Sequence, residues 1–189
     1  RVGVPVANRN REETERLIGF FVNTQVLKAD IDGQLTVSQL LQQVKQRALE
    51  AQAHQDLPFE QLVEALHPER NLSFNPLFQV MFNHQTDSTD QLQQLPGLHV
   101  SGLGWETRTA QFDLSLSTQE SSDALFASLI YATDLFDAAT PARMARHWLN
   151  LLEGMAGDAQ QHIGQLPLLD ATEQQMLVHG WNATAQTYS

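Results

Sequence analysis

The stretch Ala53-His54-Gln55-Asp56-Leu57-Pro58-Phe59-Glu60 stands between two segments that both have the periodicity of an amphipathic helix. Proline is favoured in the first turn of a helix, and a carboxylate there interacts well with the positive end of the helix dipole. Pro58 and Glu60 therefore predict that a second helix begins here, with Asp56 as its candidate cap and Phe59 as an aromatic anchor. The octet is predicted to be a helix–helix junction.

His54 is the residue of the octet that invites a catalytic interpretation, because imidazole titrates near neutrality. The residues next to it in the sequence include no evident perturbing partner. The same histidine also fits the frayed end of the preceding helix, and this structural interpretation is favoured.

Outward from the octet, apolar periodicity predicts a chain of mixed strands and helices. Strands are predicted at residues 2–7, 17–27, 77–82, 98–105, 112–118 and 124–131, and helices at 36–52, from Pro58 to about 66, from Thr140, and near 172–180. Pro5 favours an edge position for the first strand, and the nearly continuous hydrophobicity of the second indicates burial on both faces. Thr36 is the expected cap of the first long helix, and Thr172 with Gln175 forms a candidate capping box for the last one.

Composition excludes several classes of function. The 189 residues carry a formal net charge of −11, which argues against nucleic-acid binding. There is no cysteine, and no apolar run approaches the roughly 18 residues that span a bilayer. We therefore expect a cytoplasmic protein with neither a nucleic acid nor a membrane as partner.

The motifs of common catalytic and metal sites are missing as well. None of the seven histidines has the spacing of a metal site, so no bound metal is expected. Gly-x-Ser-x-Gly and Gly-rich phosphate loops are absent too. The sequence offers no self-contained catalytic set.

Asn23 and Thr24 interrupt an otherwise apolar segment with two side chains that form hydrogen bonds. Buried polar groups need partners, so these two either tie down neighbouring backbone or face a cavity. The first interpretation is favoured.

Four stretches resemble, in the same order, motifs in the C-terminal part of nonribosomal peptide synthetase condensation domains. Val2-Gly3-Val4-Pro5-Val6-Ala7-Asn8-Arg9 is similar to G-x-P-x-A-G-R, and Ile18-Gly19-Phe20-Phe21-Val22-Asn23-Thr24 to I-G-x-F-V-N-T. His54-Gln55-Asp56-Leu57-Pro58-Phe59-Glu60 is similar to H-Q-D-x-P-F-E, and Arg70-Asn71-Leu72-Ser73-Phe74-Asn75-Pro76-Leu77 to R-D-x-S-R-N-P-L. Asn8 replaces a glycine of the first motif, while Asn71 and Phe74 replace an aspartate and an arginine of the last. The family's active-site motif, H-H-x-x-x-D-G, does not occur in these residues.

The resemblance implies a mixed-sheet, two-layer α/β sandwich, the C-terminal lobe of a chloramphenicol acetyltransferase-like fold. Residues 1–180 would form this part of the domain, and 181–189 would begin a linker to a following adenylation domain. The implied partners are the N-terminal lobe of the same domain, upstream and downstream peptidyl carrier domains, and the adenylation domain. No cofactor would bind directly, since the phosphopantetheine arms arrive on the carriers.

The resemblance also implies roles for individual residues, none of them catalytic. Scaffold residues around the substrate tunnel would be Asn23, Thr24, His54, Gln55, Asp56, Arg70 and Asn75. Arg9, Arg11 and Arg16 would belong to a loop that floors the tunnel, and Arg108 and Phe112 to a latch that reaches the neighbouring lobe.

The implied activity is peptide-bond formation between a donor thioester and an acceptor amine. Without the histidine motif, the chain alone would be inactive. Two alternatives stay open: a lobe of a coenzyme A-dependent acyltransferase of the same fold, and a non-catalytic platform on which other domains dock.

Overall fold

A computed structural model describes residues 1–9, 11–67, 74–86, 109–121 and 124–184. The chain divides into two compact units. The first consists of Arg1–Ala29 and Lys45–Asp137, and the second of Asp30–Val44 and Ala138–Ser189. The predicted strand at 98–105 lies outside the described residues.

The first unit is built on a five-stranded mixed sheet. Its strands are β1 (Val2–Val6), β2 (Asn23–Leu27), β3 (Val80–Thr86), β4 (Leu114–Glu120) and β5 (Leu125–Tyr131), in the spatial order β2-β1-β3-β4-β5. β1, β3 and β4 run parallel to one another, while β2 and β5 pair antiparallel with β1 and β4. The predicted mixed-sheet α/β class is therefore confirmed.

The helices of the first unit follow β1 and β2 in the chain. Helix α1 (Glu12–Glu15) is a single turn, and α3 (Phe59–Leu66) follows the octet. Helix α2 (Val37–Ala53) starts in the second unit and ends in the first. The buried core includes Leu77 and Phe78, which precede β3 because that strand begins three residues later than predicted.

The prediction of an edge position for the first strand is wrong, because β1 lies between β2 and β3. Pro5 is tolerated there because the ladder partners that the structure describes between β1 and β3 are Gly3 and Met81. The ladder therefore requires no hydrogen bond toward β3 from the position of Pro5.

The second strand is shorter than predicted, and its burial on both faces is also wrong. β2 covers only Asn23–Leu27, is half-buried and lies at an edge of the sheet. Leu17, Ile18 and Phe20 precede it and are 54%, 105% and 92% exposed. β1 ends at Val6, opposite Asn23, so the residues before Asn23 have no ladder partner on that strand.

In the second unit, Thr36 caps α2 as predicted, and Gln39 completes a capping box that was not predicted. Thr36 Oγ1 accepts from the Gln39 N–H at 3.2 Å, and the Thr36 N–H donates to Gln39 Oε1 at 2.9 Å. Val37 is fully buried, whereas Leu41 and Val44 are exposed. The apolar periodicity therefore predicted the helix, although some of its apolar side chains lie at the surface.

The second unit also contains α4 (Ala139–Gly157), a 3₁₀ turn (Ile163–Gln165) and α5 (Ala171–Gln175), which continues into a π-helical turn (Met176–Gly180). The predicted Thr172 capping box is wrong. Asp170 is the N-cap residue of α5, and its Oδ1 accepts from the Glu173 N–H at 2.8 Å. Glu173 in turn binds His147 of α4, with 2.6 Å between Oε2 and Nε2.

Candidate functional site

Asn23, at the first position of β2, fastens the octet with three hydrogen bonds. Its Nδ2 donates to the carbonyl oxygens of Gln55 at 3.0 Å and Leu57 at 2.8 Å, and its Oδ1 accepts from the Phe59 N–H at 3.2 Å. One side chain therefore fixes two carbonyls of the turn and the first N–H of α3. The interpretation that Asn23 ties down neighbouring backbone is confirmed.

The predicted cap of α3 is wrong. Pro58 is the N-cap residue, so Asp56 lies two positions before it. The side chain that bonds to the first N–H of the helix belongs to Asn23, which performs the function of a cap from another element.

The other polar residues predicted around the octet are half-buried or exposed. Gln55 is half-buried and contributes its backbone carbonyl, whereas His54 and Asp56 are exposed. Thr24 is half-buried and pairs with Pro5 in the ladder. The structure brings these residues together around Asn23 but gives His54 no arrangement for catalysis.

β2 also holds the end of α2. The Gln25 side chain donates from Nε2 to the carbonyl oxygen of Ala51 at 2.5 Å. Asn23 and Gln25 are two positions apart, so both side chains leave the same face of β2. This face fixes the end of one helix and the start of the next.

An aromatic cluster anchors the octet from its other end. The Phe59 ring meets Phe78 edge to face at 5.8 Å, and Phe78 contacts Phe112 at 5.3 Å between ring centroids. Phe78 is only 2% exposed and packs against Gly3, where a Cβ would overlap its ring. Phe59 is the aromatic anchor that the sequence predicted, and Gly3 leaves the space that Phe78 occupies.

The loop after β1 is organised by Arg9. Its guanidinium donates to the carbonyl oxygens of Thr14 and of Leu17, the latter at 2.8 Å, and lies 4.2 Å from the centre of the Phe21 ring. Arg11 and Arg16 are exposed. Of the three predicted floor arginines, Arg9 therefore holds the loop together, and the other two face solvent.

Asn8, the departure from the family glycine, has a φ of 51°. This left-handed conformation favours glycine, and asparagine is among the residues that tolerate it best. The substitution is therefore compatible with the same backbone path.

Asn75 connects two segments of the first unit. Its Nδ2 donates to the Gln111 carbonyl at 3.5 Å, and its own carbonyl accepts from Gln79 Nε2 at 3.0 Å. Arg70 and the latch candidate Arg108 lie outside the described residues. The other latch candidate, Phe112, belongs to the aromatic cluster.

A further group, which the sequence analysis missed, lies on β3 and β4. His84 Nδ1 is 2.9 Å from the hydroxyl of Thr118, and His84 Nε2 is 3.8 Å from Glu120 Oε2. Thr118 is 5% exposed, whereas the side chains of His84 and Glu120 are 44% and 62% exposed. His84 and Thr118 are direct ladder partners, a relation that only the strand register reveals.

A cavity of about 520 Å³ also opens in the first unit. It is lined by Thr109, Ala110 and residues 129–134 at the end of β5. Among the residues that the structure describes, no group of histidine and carboxylate side chains could hold a metal ion. No helix within the described ranges is long and apolar enough to cross a membrane.

Comparison with known proteins places the chain in a family. The family profile described as condensation domain matches residues 1–178. One of the subunits of linear gramicidin synthase from Brevibacillus parabrevis is 46% identical over 99% of this chain, and malpibaldin synthetase of Mortierella alpina is 42% identical over 99%. The chain spans only 4% and 3% of those two proteins.

A solved four-domain nonribosomal peptide synthetase bound to AMP and glycine matches 92% of this chain with a TM-score of 0.82 and 26% identity, over 14% of its own length. The X-domain of teicoplanin biosynthesis, solved in complex with OxyB, matches 89% of the chain with a TM-score of 0.77 and 27% identity, over 38% of the solved chain. The chain belongs to the condensation-domain family of nonribosomal peptide synthetases.

Proposed function

We propose that this chain is the C-terminal lobe of a condensation domain that joins two carrier-bound substrates by a peptide bond. The observation that carries the proposal is the coincidence of family motifs with structural roles. Gly3 makes room for Phe78, Asn8 takes the left-handed turn, and Asn23 of the second motif clamps the third. The first three motifs therefore contribute to one scaffold within the first unit.

The scaffold residues position other groups rather than react. The side-chain amides of Asn23 and Gln25 form hydrogen bonds with backbone carbonyls and an N–H. The guanidinium of Arg9 forms hydrogen bonds within its own loop. The motif H-H-x-x-x-D-G is absent from these 189 residues. The reacting histidine would come from the opposite lobe, so the chain alone would be inactive.

The proposed reaction is an acyl transfer that balances without a further reagent. The acceptor amine attacks the carbonyl of the donor thioester, an amide bond forms, and the C–S bond breaks. The nitrogen loses a proton, and the donor's phosphopantetheine arm leaves as a thiol. Holding both carrier arms in one tunnel supplies most of the rate enhancement through proximity.

The exposed apolar residues before β2 support a position at the boundary with another lobe. Leu17, Ile18 and Phe20 are largely exposed beside the loop that Arg9 holds. Contiguous exposed apolar residues are typical of surfaces that bind another protein surface. We assign this loop, with Arg11 and Arg16, to the tunnel floor, and Phe112 with Arg108 to the latch.

The proposal includes the remaining partners. Upstream and downstream carrier domains would deliver the substrates, and an adenylation domain would follow residues 181–189. The solved synthetase with AMP and glycine, which matches this chain at 26% identity, supports this multidomain setting. The expected site of action is the cytoplasm.

The test uses the full natural polypeptide that carries this sequence, with its carrier domains loaded with donor and acceptor. Intact-protein mass spectrometry should detect the dipeptidyl product on the acceptor carrier. An acceptor whose amine is acetylated is the matched control and should give none. Loaded carriers that persist without any product would overturn the proposal.

A non-catalytic docking platform is the second candidate, and one comparison favours it. The X-domain that matches this chain at 27% identity was solved in complex with OxyB. If this chain serves such a role, the polypeptide will form no amide but will retain a second enzyme in a pull-down with purified components. Amide formation in the loaded polypeptide separates the two candidates.

A further inference from the structure

The group His84, Thr118 and Glu120 lies near one edge of the sheet. β3 ends at Thr86 and β4 at Glu120, and the two strands are parallel, so their carboxyl ends meet at the same edge. In open α/β sheets, ligands bind preferentially outside the carboxyl ends of the strands. The position of the group is therefore one where a ligand is expected.

Thr118 fixes the orientation of the His84 ring. The Thr118 hydroxyl donates to the carbonyl oxygen of Asn83 at 3.4 Å and lies 2.9 Å from His84 Nδ1. A hydroxyl that donates in one direction accepts in the other, so His84 Nδ1 carries the hydrogen of this contact. In the neutral ring, Nε2 then has an accepting lone pair.

Nε2 and the Glu120 carboxylate form two neighbouring acceptors. The separation of 3.8 Å from Nε2 to Oε2 exceeds the length of a normal hydrogen bond. It is too short for a further heavy atom on the line between them, but one nitrogen atom with two or more hydrogens can lie beside that line, at hydrogen-bond distance from each. The exposure of both side chains leaves this position accessible.

We propose that His84 and Glu120 bind the acceptor amine of the condensation reaction, with Thr118 as the residue that positions the imidazole. This inference rests on the proposed function, which requires a primary amine as acceptor. An amine has two or more hydrogens and can donate to both acceptors at once, whereas a hydroxyl has a single hydrogen and can donate to only one of them. The pair would therefore contribute to selection of the acceptor.

The test measures amide formation by the full natural polypeptide with its own acceptor amino acid, offered as a soluble N-acetylcysteamine thioester. His84→Asn places an amide near the position of Nδ1, preserves the contact with Thr118 and removes Nε2. We expect the KM of the acceptor to rise about tenfold while kcat and the KM of the donor stay unchanged. His84→Gln, which places its amide near the position of Nε2, is the matched control and should restore part of the loss.

Two further variants separate binding from folding. Glu120→Gln changes an exposed charge without risk to the core and should also raise the acceptor KM, while weakening inhibition by the 2-hydroxy analogue of the acceptor less, because a hydroxyl can still donate to Nε2. Thr118→Val keeps the shape of the side chain, removes the hydroxyl and should give a smaller rise. Melting temperatures report whether each variant is folded.

The outcomes distinguish this inference from the proposed function. If the wild-type polypeptide forms no amide, the proposed function is wrong, and the amine-binding pair is wrong with it. If the wild type forms amide and the acceptor KM is unchanged in both His84→Asn and Glu120→Gln, only the amine-binding pair is overturned.

Discussion

Asn23 contributes more to the helix junction than its position at the start of an edge strand indicates. It satisfies two carbonyls of the turn and the first N–H of α3, groups that would otherwise need water. The sequence pointed to Asn23 as a polar residue in need of partners. The sequence analysis assigned the cap of α3 to Asp56, because spacing along the chain cannot reveal a partner 36 residues away.

Asn23→Ala should lower the free energy of unfolding by about 2 kcal/mol, since three hydrogen bonds are lost and some of the freed groups regain water. Asn23→Asp should not recover this loss, because the carboxylate can still accept from the Phe59 N–H but its second oxygen would face the carbonyl oxygens of Gln55 and Leu57. Chemical denaturation with a constant m-value measures both variants.

Thr24→Ala is the matched control for the clamp, since Thr24 is the neighbouring residue and the bonds to the junction come from Asn23. Thr24→Ala should lower the free energy of unfolding clearly less than Asn23→Ala does. Equal losses in the two variants would show that the strand end, rather than the amide of Asn23, stabilises the junction.

Gly3→Ala should destabilise the protein by about 1–3 kcal/mol through overpacking. The new Cβ would overlap the ring of Phe78, and that ring is held between Phe59 and Phe112. The measurement is a double-mutant cycle with Phe78→Leu, in which the combined loss should be smaller than the sum of the single losses. Additive losses would contradict a clash between these two positions.

At the scale of elements, periodicity located helices and strands well and their ends poorly. Strand β2 loses its first six predicted residues because β1 ends at Val6 and the chain then turns at Asn8. An apolar run such as 17–22 is compatible with a buried strand, and also with an exposed loop that another protein surface covers. Only the partner strand decides between them, and the partner is remote in sequence.

Helix α5 offers a direct comparison between the sequence-based cap and the observed one. Asp170→Ala should destabilise the start of this helix by about 1 kcal/mol, because the Glu173 N–H loses its acceptor. Hydrogen exchange at the Glu173 amide measures the change, and exchange should become faster.

Thr172→Ala tests the alternative cap that the sequence favoured. It should leave exchange at the Gln175 amide unchanged, since Thr172 lies inside the helix and not at its N-cap. Faster exchange at Gln175 in this variant, with normal exchange at Glu173 in Asp170→Ala, would restore the Thr172 capping box.

For the whole molecule, the motifs predicted the fold class and the family, and both are confirmed. The strand order was not predictable, since β1 joins β3 across a sequence separation that periodicity does not encode. The group His84, Thr118 and Glu120 was not predicted for the same reason. His84 and Thr118 are 34 positions apart and become neighbours only through the register of β3 and β4. Arg70 and Arg108 remain predictions, since both lie outside the described ranges.

The central proposal is that this chain is a scaffold lobe that acts together with a second lobe carrying the histidine motif. The most direct measurement compares amide formation by the 189-residue chain alone, by the remainder of its condensation domain alone, and by the two mixed, all with loaded carriers. We predict product in the mixture and none with either part. Product from the chain alone would contradict the account.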